Sequence, residues 1–207
     1  MTNKELINNL IADGYLKTPA IIDAFNAIDR ANFIPQKLEE SAYINEPVPI
    51  GQGQTISQPL TVAFMLELLN PKSGEKILDI GAGSGWQAAL IAEIVGKSGK
   101  VVAVERILQL KGLAEKNIEK YGFIKKEIAK IVWTNASNGY AKESPYDKII
   151  AAASAESILA AWKEQLKIGG RLVAPVKNSI VVIDKISETE FKEEVHFGFS
   201  FVPLIKD

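Results

Sequence analysis

The sequence predicts an α/β fold built on a doubly wound, mostly parallel sheet with helices on both faces. From residue 76 onward, short apolar segments alternate with helical segments of about 10–15 residues, as in parallel sheets with right-handed crossovers. The first 70 residues are mainly helical and predict an N-terminal helical extension. Two late apolar segments, 180–186 and 195–201, predict an antiparallel strand pair at the C-terminal edge of the sheet.

The N-terminal extension begins with two amphipathic segments. The apolar residues of the first recur at helical spacing: Leu6, Ile7, Leu10 and Ile11. Gly14 ends this segment, and Thr18-Pro19 then predicts an N-cap followed by a proline at the first helical position. The apolar face of the second helix carries Ile21, Ile22, Phe25 and Ile28.

Residues 43–57 are rich in proline and glycine and show no periodicity. They predict a long loop, and loops of that length inside compact domains are usually functional. A helix is predicted at about 58–69, ending before Asn70-Pro71.

The second part of the chain supplies the parallel sheet. Five strands are predicted, at residues 76–80, 101–104, 128–133, 148–153 and 172–176. Three helices are predicted between these strands. The first spans 86–95, the second ends near Tyr121-Gly122, and the third spans about 157–167. Sheets of this kind bind ligands at the carboxyl ends of their strands, beside the point where the strand order reverses.

Composition excludes several classes of function. A chain of 207 residues suits one domain, and its 24 basic and 25 acidic residues give no field of one sign to attract nucleic acid or a membrane surface. The absence of cysteine excludes disulfides and thiolate chemistry. The first residues lack the apolar core of a signal peptide, so a cytoplasmic location is expected.

The Gly-rich segment at residues 77–85 lies where a ligand loop belongs, between the first parallel strand and its helix. Gly81, Gly83 and Gly85 let the backbone approach a ligand closely, and the following helix N-terminus offers amide groups. Glu105 ends the second parallel strand, where a carboxylate can accept hydrogen bonds from both hydroxyls of an unphosphorylated ribose.

Two ligands fit this arrangement. A dinucleotide requires Gly-x-Gly-x-x-Gly, whereas this chain has Gly-x-Gly-x-Gly preceded by Asp79. An acid beside the loop repels a pyrophosphate but can accept a hydrogen bond from the ammonium group of a methionine moiety. The preferred ligand is therefore S-adenosylmethionine. The alternative is a tight strand-to-helix turn without a ligand, which the turn, the acid and Glu105 together make a minority interpretation.

Several further motifs form a family pattern. They lie at residues 27–35, 43, 49–59, 145–150, 165–176 and 201–204. Together with the Gly-rich segment they make nearly the whole chain resemble the protein-L-isoaspartate O-methyltransferases. The segment Thr55-Ile56-Ser57-Gln58-Pro59 is specific to that family, whereas the Gly-rich loop belongs to the wider methyltransferase superfamily.

The resemblance implies one Rossmann-like methyltransferase domain over residues 1–207, with a substrate loop at 43–59. It implies transfer of a methyl group from S-adenosylmethionine to the free carboxylate of L-isoaspartyl residues in damaged proteins, which leaves S-adenosylhomocysteine. The expected partners are isoaspartyl proteins and peptides, without nucleic acid, membrane or metal, and a monomer is expected.

The resemblance also assigns site residues. Ser57 falls on the active-site serine of the family, with Thr55 and Ile56 beside it in the substrate-binding segment. Taken alone, Ser57 is better explained as an N-cap of the helix that follows, since serine two residues before proline is common at a helix start, and only the resemblance favours the active-site role. The single histidine, His196, lies in a late apolar strand and is assigned a structural role. The implied cofactor-binding residues are Asp79, Gly81, Ala82, Gly83, Gly85, Glu105, Asn135 and Ala136.

Asn135 marks a departure from the family, which usually carries an Asp-Gly pair where this chain has Asn135-Ala136. The acid of that pair contacts the adenine amino group, and the amide oxygen of Asn135 can accept the same bond without charge. This departure leaves open a methyltransferase of the same fold with another small-molecule or protein acceptor. A binding module that retains the fold without turnover is the alternative from another class.

Overall fold

A computed structural model describes residues 1–204; the predicted domain, 1–207, extends three residues beyond that range. It contains six α-helices and nine β-strands within the described range. The helices are α1 (Asn3–Ala12), α2 (Pro19–Ala27), α3 (Pro59–Leu69), α4 (Trp86–Val95), α5 (Leu108–Glu119) and α6 (Ala160–Glu164). The strands are β1 (Val48–Gly51), β2 (Gln54–Ile56), β3 (Lys76–Ile80), β4 (Lys100–Glu105), β5 (Ala129–Trp133), β6 (Tyr146–Ala151), β7 (Leu166–Val176), β8 (Ser179–Lys185) and β9 (Phe191–Phe197).

Seven strands form one sheet in the order β5-β4-β3-β6-β7-β8-β9. The pairs among β5, β4, β3, β6 and β7 are parallel, and β8 and β9 extend the sheet in antiparallel fashion. The predicted α/β fold with an antiparallel pair at the edge is therefore confirmed. Because β3 lies between β4 and β6, the chain reverses its direction of winding beside β3, where a ligand site is expected.

The two faces of the sheet are covered unequally. Buried side chains of α1 to α5 pack with Ile77 and Val101 in one apolar cluster, whereas Leu78 and Val102 face a second cluster that contains Trp162 of α6. Alternate residues of β3 and β4 therefore face opposite sides, as the period of a strand requires. Both faces of these strands are covered by apolar side chains, which explains why residues 77–80 and 101–104 are apolar except for the buried Asp79.

The N-terminal helices form as predicted. Leu6, Ile7 and Leu10 are buried on α1, whereas Ile11 is 39% exposed. Thr18 occupies the N-cap position of α2 but makes no capping hydrogen bond with its side chain, because its hydroxyl donates to Glu67 instead.

The sequence predicted a long loop at residues 43–57, but only part of this segment is a loop. Val48 pairs with Ile56 and Pro49 with Thr55, so β1 and β2 form an antiparallel hairpin. A turn at 51–53 with positive φ angles joins the two strands. Proline lacks an amide donor, which is tolerated in a two-stranded ribbon because one edge of each strand needs no partner.

Two predicted boundaries near the C-terminal half are wrong. The helix predicted at 157–167 shrinks to α6, because Leu159 is extended, with φ −77° and ψ 138°, and Leu166 already pairs with Tyr146 as the first residue of β7. The strand predicted to begin at residue 172 begins at Leu166.

The last predicted strand also shifts, from 195–201 to β9 at Phe191–Phe197. Gly198 follows its last residue with φ 97°, and the amides of Gly198 and Phe199 both donate to the carbonyl of Asn178. No helix within residues 1–204 is long and apolar enough to cross a membrane.

Candidate active site

A cleft lies at the carboxyl ends of β3, β4 and β6, where the strand order reverses. It encloses about 870 Å³, a volume that includes its opening to solvent. Its walls are residues 54–57, Val62, residues 81–84, Trp86, Gln87, residues 105–107, Leu110, Ala136, Ala152, Ala153 and residues 202–204. The cleft thus joins the Gly-rich turn to the hairpin and to the last described residues.

The Gly-rich turn forms the floor of the cleft. The amides of Gly81 and Ala82 both donate to the carbonyl of Val104, at 2.9 and 3.0 Å, so the turn folds over the end of β4. Gly81, Ala82 and Gly83 line the cleft, as expected of cofactor-binding residues.

Gly85 has a different position from the other predicted cofactor residues. It is absent from the cleft wall, and it precedes α4 with φ 92°. A Cβ atom built there would lie 3.0 Å from Ile118 Cδ1 and 3.2 Å from Ala114 Cα of α5. Gly85 therefore allows close packing between α4 and α5, and it shapes the turn from behind.

Glu105 lines the cleft at the end of β4 and is only 6% exposed. Its Oε2 accepts a hydrogen bond from the amide of Gly83 at 2.9 Å, and its Oε1 accepts one from the amide of Ile107 at 2.9 Å. Each carboxylate oxygen can accept a further bond. The side chain thus stabilises the turn and retains acceptor capacity for the two hydroxyls of a ribose.

Asp79 lies beneath the cleft and is fully buried. Its Oδ1 accepts a hydrogen bond from Gln87 Nε2 at 2.7 Å, whereas its Oδ2 has no partner among the described residues. Burial raises the pKa of Asp79 to about 7, and the negative charge of Glu105 adds to this increase, while the bond from Gln87 opposes it. A cationic ligand above Gln87 would favour the ionised form of Asp79.

Asn135 and Ala136 begin a 3-10 turn after β5. The Oδ1 of Asn135 accepts bonds from the amide and the hydroxyl of Ser137, both at 2.8 Å, so both of its lone pairs are used. Ala136 lines the cleft, and its carbonyl accepts from Trp162 Nε1 at 3.0 Å. Asn135 and Ala136 were both predicted to bind the cofactor, but the structure places only Ala136 in the cleft wall.

Thr55, Ile56 and Ser57 form the opposite wall of the cleft. Thr55 and Ser57 also border a second cavity, which Thr61 and Phe201 help to line and which encloses about 730 Å³ including its opening to solvent. This segment is therefore shared by two spaces, one above the Gly-rich turn and one lined by residues that follow the hairpin.

Ser57 is not the N-cap of α3. Gln58 occupies that position. The amide of Leu60, in the first turn of α3, donates a hydrogen bond to Asn45 Oδ1 at 2.9 Å. The capping alternative for Ser57 is thus wrong, because another side chain performs that role.

Several wall residues were not predicted from the sequence. Ala152 and Ala153 directly follow β6, so their place at the carboxyl end of a parallel strand was a usable signal. Residues 202–204 carry no such signal: the amide of Ser154 donates to the carbonyl of Val202, and the amide of Leu204 donates back to Ser154. His196 lies outside the wall and packs edge-on against Phe64, with ring centroids 5.3 Å apart.

Comparisons with known proteins agree on one family. The family model for protein-L-isoaspartate(D-aspartate) O-methyltransferases matches residues 1–207. A protein-L-isoaspartate O-methyltransferase of Methanopyrus kandleri is 39% identical over 206 residues, covering 98% of this chain and 90% of the relative. The Methanococcus maripaludis C6 enzyme is 40% identical over 202 residues, covering 97% of this chain and 94% of the relative.

Solved structures give the same result. A putative protein-L-isoaspartate O-methyltransferase from Plasmodium falciparum, in complex with S-adenosyl-L-homocysteine, superposes with a TM-score of 0.88. The two chains are 26% identical, and the match covers all of both.

Proposed function

The chain belongs to the protein-L-isoaspartate O-methyltransferase family, and from this premise we propose how its residues perform the methylation of isoaspartyl carboxylates. The reaction joins the methyl group of S-adenosylmethionine to the free carboxylate of an L-isoaspartyl residue in a damaged protein or peptide. The observation that carries the proposal is a cleft whose floor is the Gly-rich turn with Glu105 and whose opposite wall is Thr55 to Ser57.

The polar side chains in and below the floor of the cleft fit this cofactor. Glu105 suits the two hydroxyls of an unphosphorylated ribose, and a carboxylate there disfavours a phosphate. Asp79 acts from below through Gln87, which lines the cleft, and its partnerless Oδ2 adds negative potential where an ammonium group would lie. Ala136, rather than the amide oxygen of Asn135, is the residue proposed to border the adenine.

The substrate wall needs to orient an anion rather than to remove a proton. An α-carboxylate has a pKa of about 3.3–3.7 and is ionised at neutral pH. The cofactor supplies an electrophilic methyl group on a sulfonium, which leaves as a neutral thioether when the carboxylate oxygen forms the new C–O bond. A general base is therefore unnecessary, which agrees with a cleft wall that contains no histidine among the described residues.

Ser57 and Thr55 are proposed to hold the acceptor carboxylate by their hydroxyl groups and neighbouring amides. Both border the cleft and the second cavity, so a side branch entering from that cavity meets them before it reaches the Gly-rich turn. Alignment of the reacting atoms can supply several kcal/mol of barrier reduction. This role explains why a hydroxyl stands here although α3 takes its cap from Asn45.

Substitution of Ser57 tests this assignment. In Ser57→Ala we expect lower methyl transfer to an isoaspartyl peptide, with cofactor affinity and melting temperature nearly unchanged. Asn45→Ala is the matched control, because it removes the actual cap of α3 and should cost roughly 1 kcal/mol of stability. A Ser57→Ala protein with wild-type turnover would remove Ser57 from the active site.

A further inference from the structure

Arg30 is a buried cation with no role in the chemistry described above. It lies in the 3-10 turn Arg30–Phe33 and has no exposed surface. Within residues 1–204 its hydrogen bonds all go to main-chain carbonyls, and none goes to a carboxylate. Burial of a charge is costly unless its donors are satisfied. Nη1 and Nη2 both have carbonyl partners, whereas Nε has none within the described residues, so the carbonyls bonded to the two terminal nitrogens indicate what this side chain does.

The guanidinium holds both ends of the hairpin segment. Nη1 donates to the carbonyls of Ala42 at 2.7 Å and Ile44 at 3.4 Å. Nη2 donates to the carbonyls of Glu46 at 2.9 Å and Ser57 at 3.1 Å. Because Glu46 precedes β1 and Ser57 follows β2, one side chain closes the base of the hairpin.

The same guanidinium is in contact with the cofactor side of the cleft. Its central carbon lies 5.3 Å from the ring centroid of Trp86, which directly follows the Gly-rich turn and lines the cleft. Cation–π contacts of this kind stabilise a buried guanidinium. Arg30 therefore bonds to the substrate wall through Ser57 and packs on the first residue of α4.

We propose that Arg30 is a positioning residue that fixes the Thr55 to Ser57 wall relative to the Gly-rich turn. Its function is to set the approach of the acceptor carboxylate to the methyl group. This inference rests on the proposed function, and it adds a residue that touches neither substrate nor cofactor. Displacement of Ser57 would disturb alignment and leave the ribose acceptor, Glu105, in place.

Arginine suits this role better than lysine. Its planar fork presents donors in fixed directions and reaches four carbonyls at once, whereas an ammonium group has three donors at one point. Burial lowers the pKa of Arg30 only to about 10, so the side chain stays charged at neutral pH.

Arg30→Lys and Arg30→Met test the proposal in the full chain. We expect kcat/KM for an isoaspartyl peptide to fall by roughly 10–100-fold in Arg30→Met, with the dissociation constant for S-adenosylmethionine unchanged. Arg30→Lys should retain part of the activity, because it keeps the charge and some of the bonds. If the methionine variant does not fold, the lysine variant supplies the same comparison.

Lys185→Met is the matched control. Lys185 is also a buried cation, 3% exposed, and its Nζ donates to the carbonyl of Leu166 at 3.0 Å. It differs from Arg30 in that its Nζ also pairs with Glu188 Oε2 at 3.0 Å and in that it lies outside the cleft wall. Its loss should lower the melting temperature without changing kcat or KM. A merely structural Arg30 would behave in the same way as Lys185.

Coupling to Ser57 and hydrogen exchange complete the test. The loss caused by Arg30→Lys should be smaller in a Ser57→Ala background, and Arg30→Lys should speed amide exchange at residues 46–57 but not at 81–85. Additive losses, unchanged exchange at 46–57, or an equal loss of cofactor affinity would overturn the proposal. The exchange result is independent of turnover, so it distinguishes failure of this inference from failure of the proposed function.

Discussion

Asp79 combines complete burial with a carboxylate oxygen that lacks a partner in the described chain. Burial raises its pKa from the ordinary 3.8 to about 7. The folded protein therefore binds this proton more tightly than the unfolded chain does. The stability that Asp79 contributes is fully present below about pH 4 and is lost as the pH rises to about 7.

Asp79→Asn tests this titration. Asparagine stays neutral, and its Oδ1 can still accept a hydrogen bond from Gln87. As the pH rises from 5 to 8, the melting temperature of the cofactor-free variant should therefore increase relative to that of the wild-type protein. The limiting slope is about 1.4 kcal/mol per pH unit for one proton. Thermal unfolding of both proteins across that range gives the difference. Parallel curves would show that Asp79 does not titrate there.

Glu105 has two functions that one substitution removes together. It accepts hydrogen bonds from the amides of Gly83 and Ile107, and it is proposed to accept hydrogen bonds from the two ribose hydroxyls. Glu105→Ala should weaken cofactor binding by about 1–3 kcal/mol, since donors lose a charged acceptor. Glu115→Ala on the surface of α5, where Glu115 pairs with Lys111, is the control. Unchanged affinity in calorimetry would exclude Glu105 from the site.

Sequence reasoning at the residue scale was limited by what a local pattern can contain. Gly81, Gly83 and Glu105 were identifiable because a loop between strand and helix, and an acid at the next strand end, are local signals. The same pattern could not separate Asp79 and Gly85, which lie behind the wall, from residues that line it. Arg30 stood in a recognised motif, but its four carbonyl partners come from segments that only the fold brings together.

Elements with strong internal patterns were predicted well. The predicted bounds of β3 and α4 coincide with those observed, because a buried strand, a Gly-rich turn and an apolar helix each carry their own signal. The hairpin was missed although Gly51, Gln52 and Gly53 separate two short β-prone segments, which is a hairpin pattern. The proline and glycine content of residues 43–57 favours a loop over a strand, and this composition outweighs the hairpin pattern.

The start of β7 depends on pairing that no local pattern contains. Gly169 and Gly170 precede the predicted strand at 172–176, whereas in the structure they form an irregularity within β7. There the pairing with β6 shifts between Tyr146 and Lys148. A Cβ on Gly170 would lie 2.7 Å from the carbonyl of Asp147, so glycine permits the close approach of the two strands.

Two glycines give opposite predictions: Gly85 lies at the contact between α4 and α5, and Gly112 lies on the exposed face of α5. Gly85→Ala should destabilise the protein by about 1–3 kcal/mol, because its positive φ and the contact with Ile118 both oppose a side chain. Gly112→Ala, within α5 and with no atom within 4 Å of the added Cβ, should stabilise it by about 0.5–1 kcal/mol. Urea unfolding measures both, and equal effects would contradict this packing description.

At the scale of the whole molecule, the cleft is assembled from distant parts of the chain. The hairpin supplies one wall, the parallel sheet supplies the floor, and residues 202–204 complete the rim after the chain leaves β9. Fold class was predictable because alternating strands and helices admit few topologies. The rim was not, since it depends on hydrogen bonds between Ser154 and residues 202 and 204.

The central claim is that the acceptor is the free carboxylate of an isoaspartyl residue. The most direct measurement is transfer of labelled methyl from S-adenosylmethionine to three peptides of one sequence. They carry an isoaspartyl residue, a normal aspartyl residue, and an isoaspartyl residue whose free carboxylate is blocked as an amide. We predict base-labile methyl ester on the first peptide only. Equal labelling of the aspartyl peptide, or no labelling of the isoaspartyl peptide by a protein that binds the cofactor, would contradict the claim.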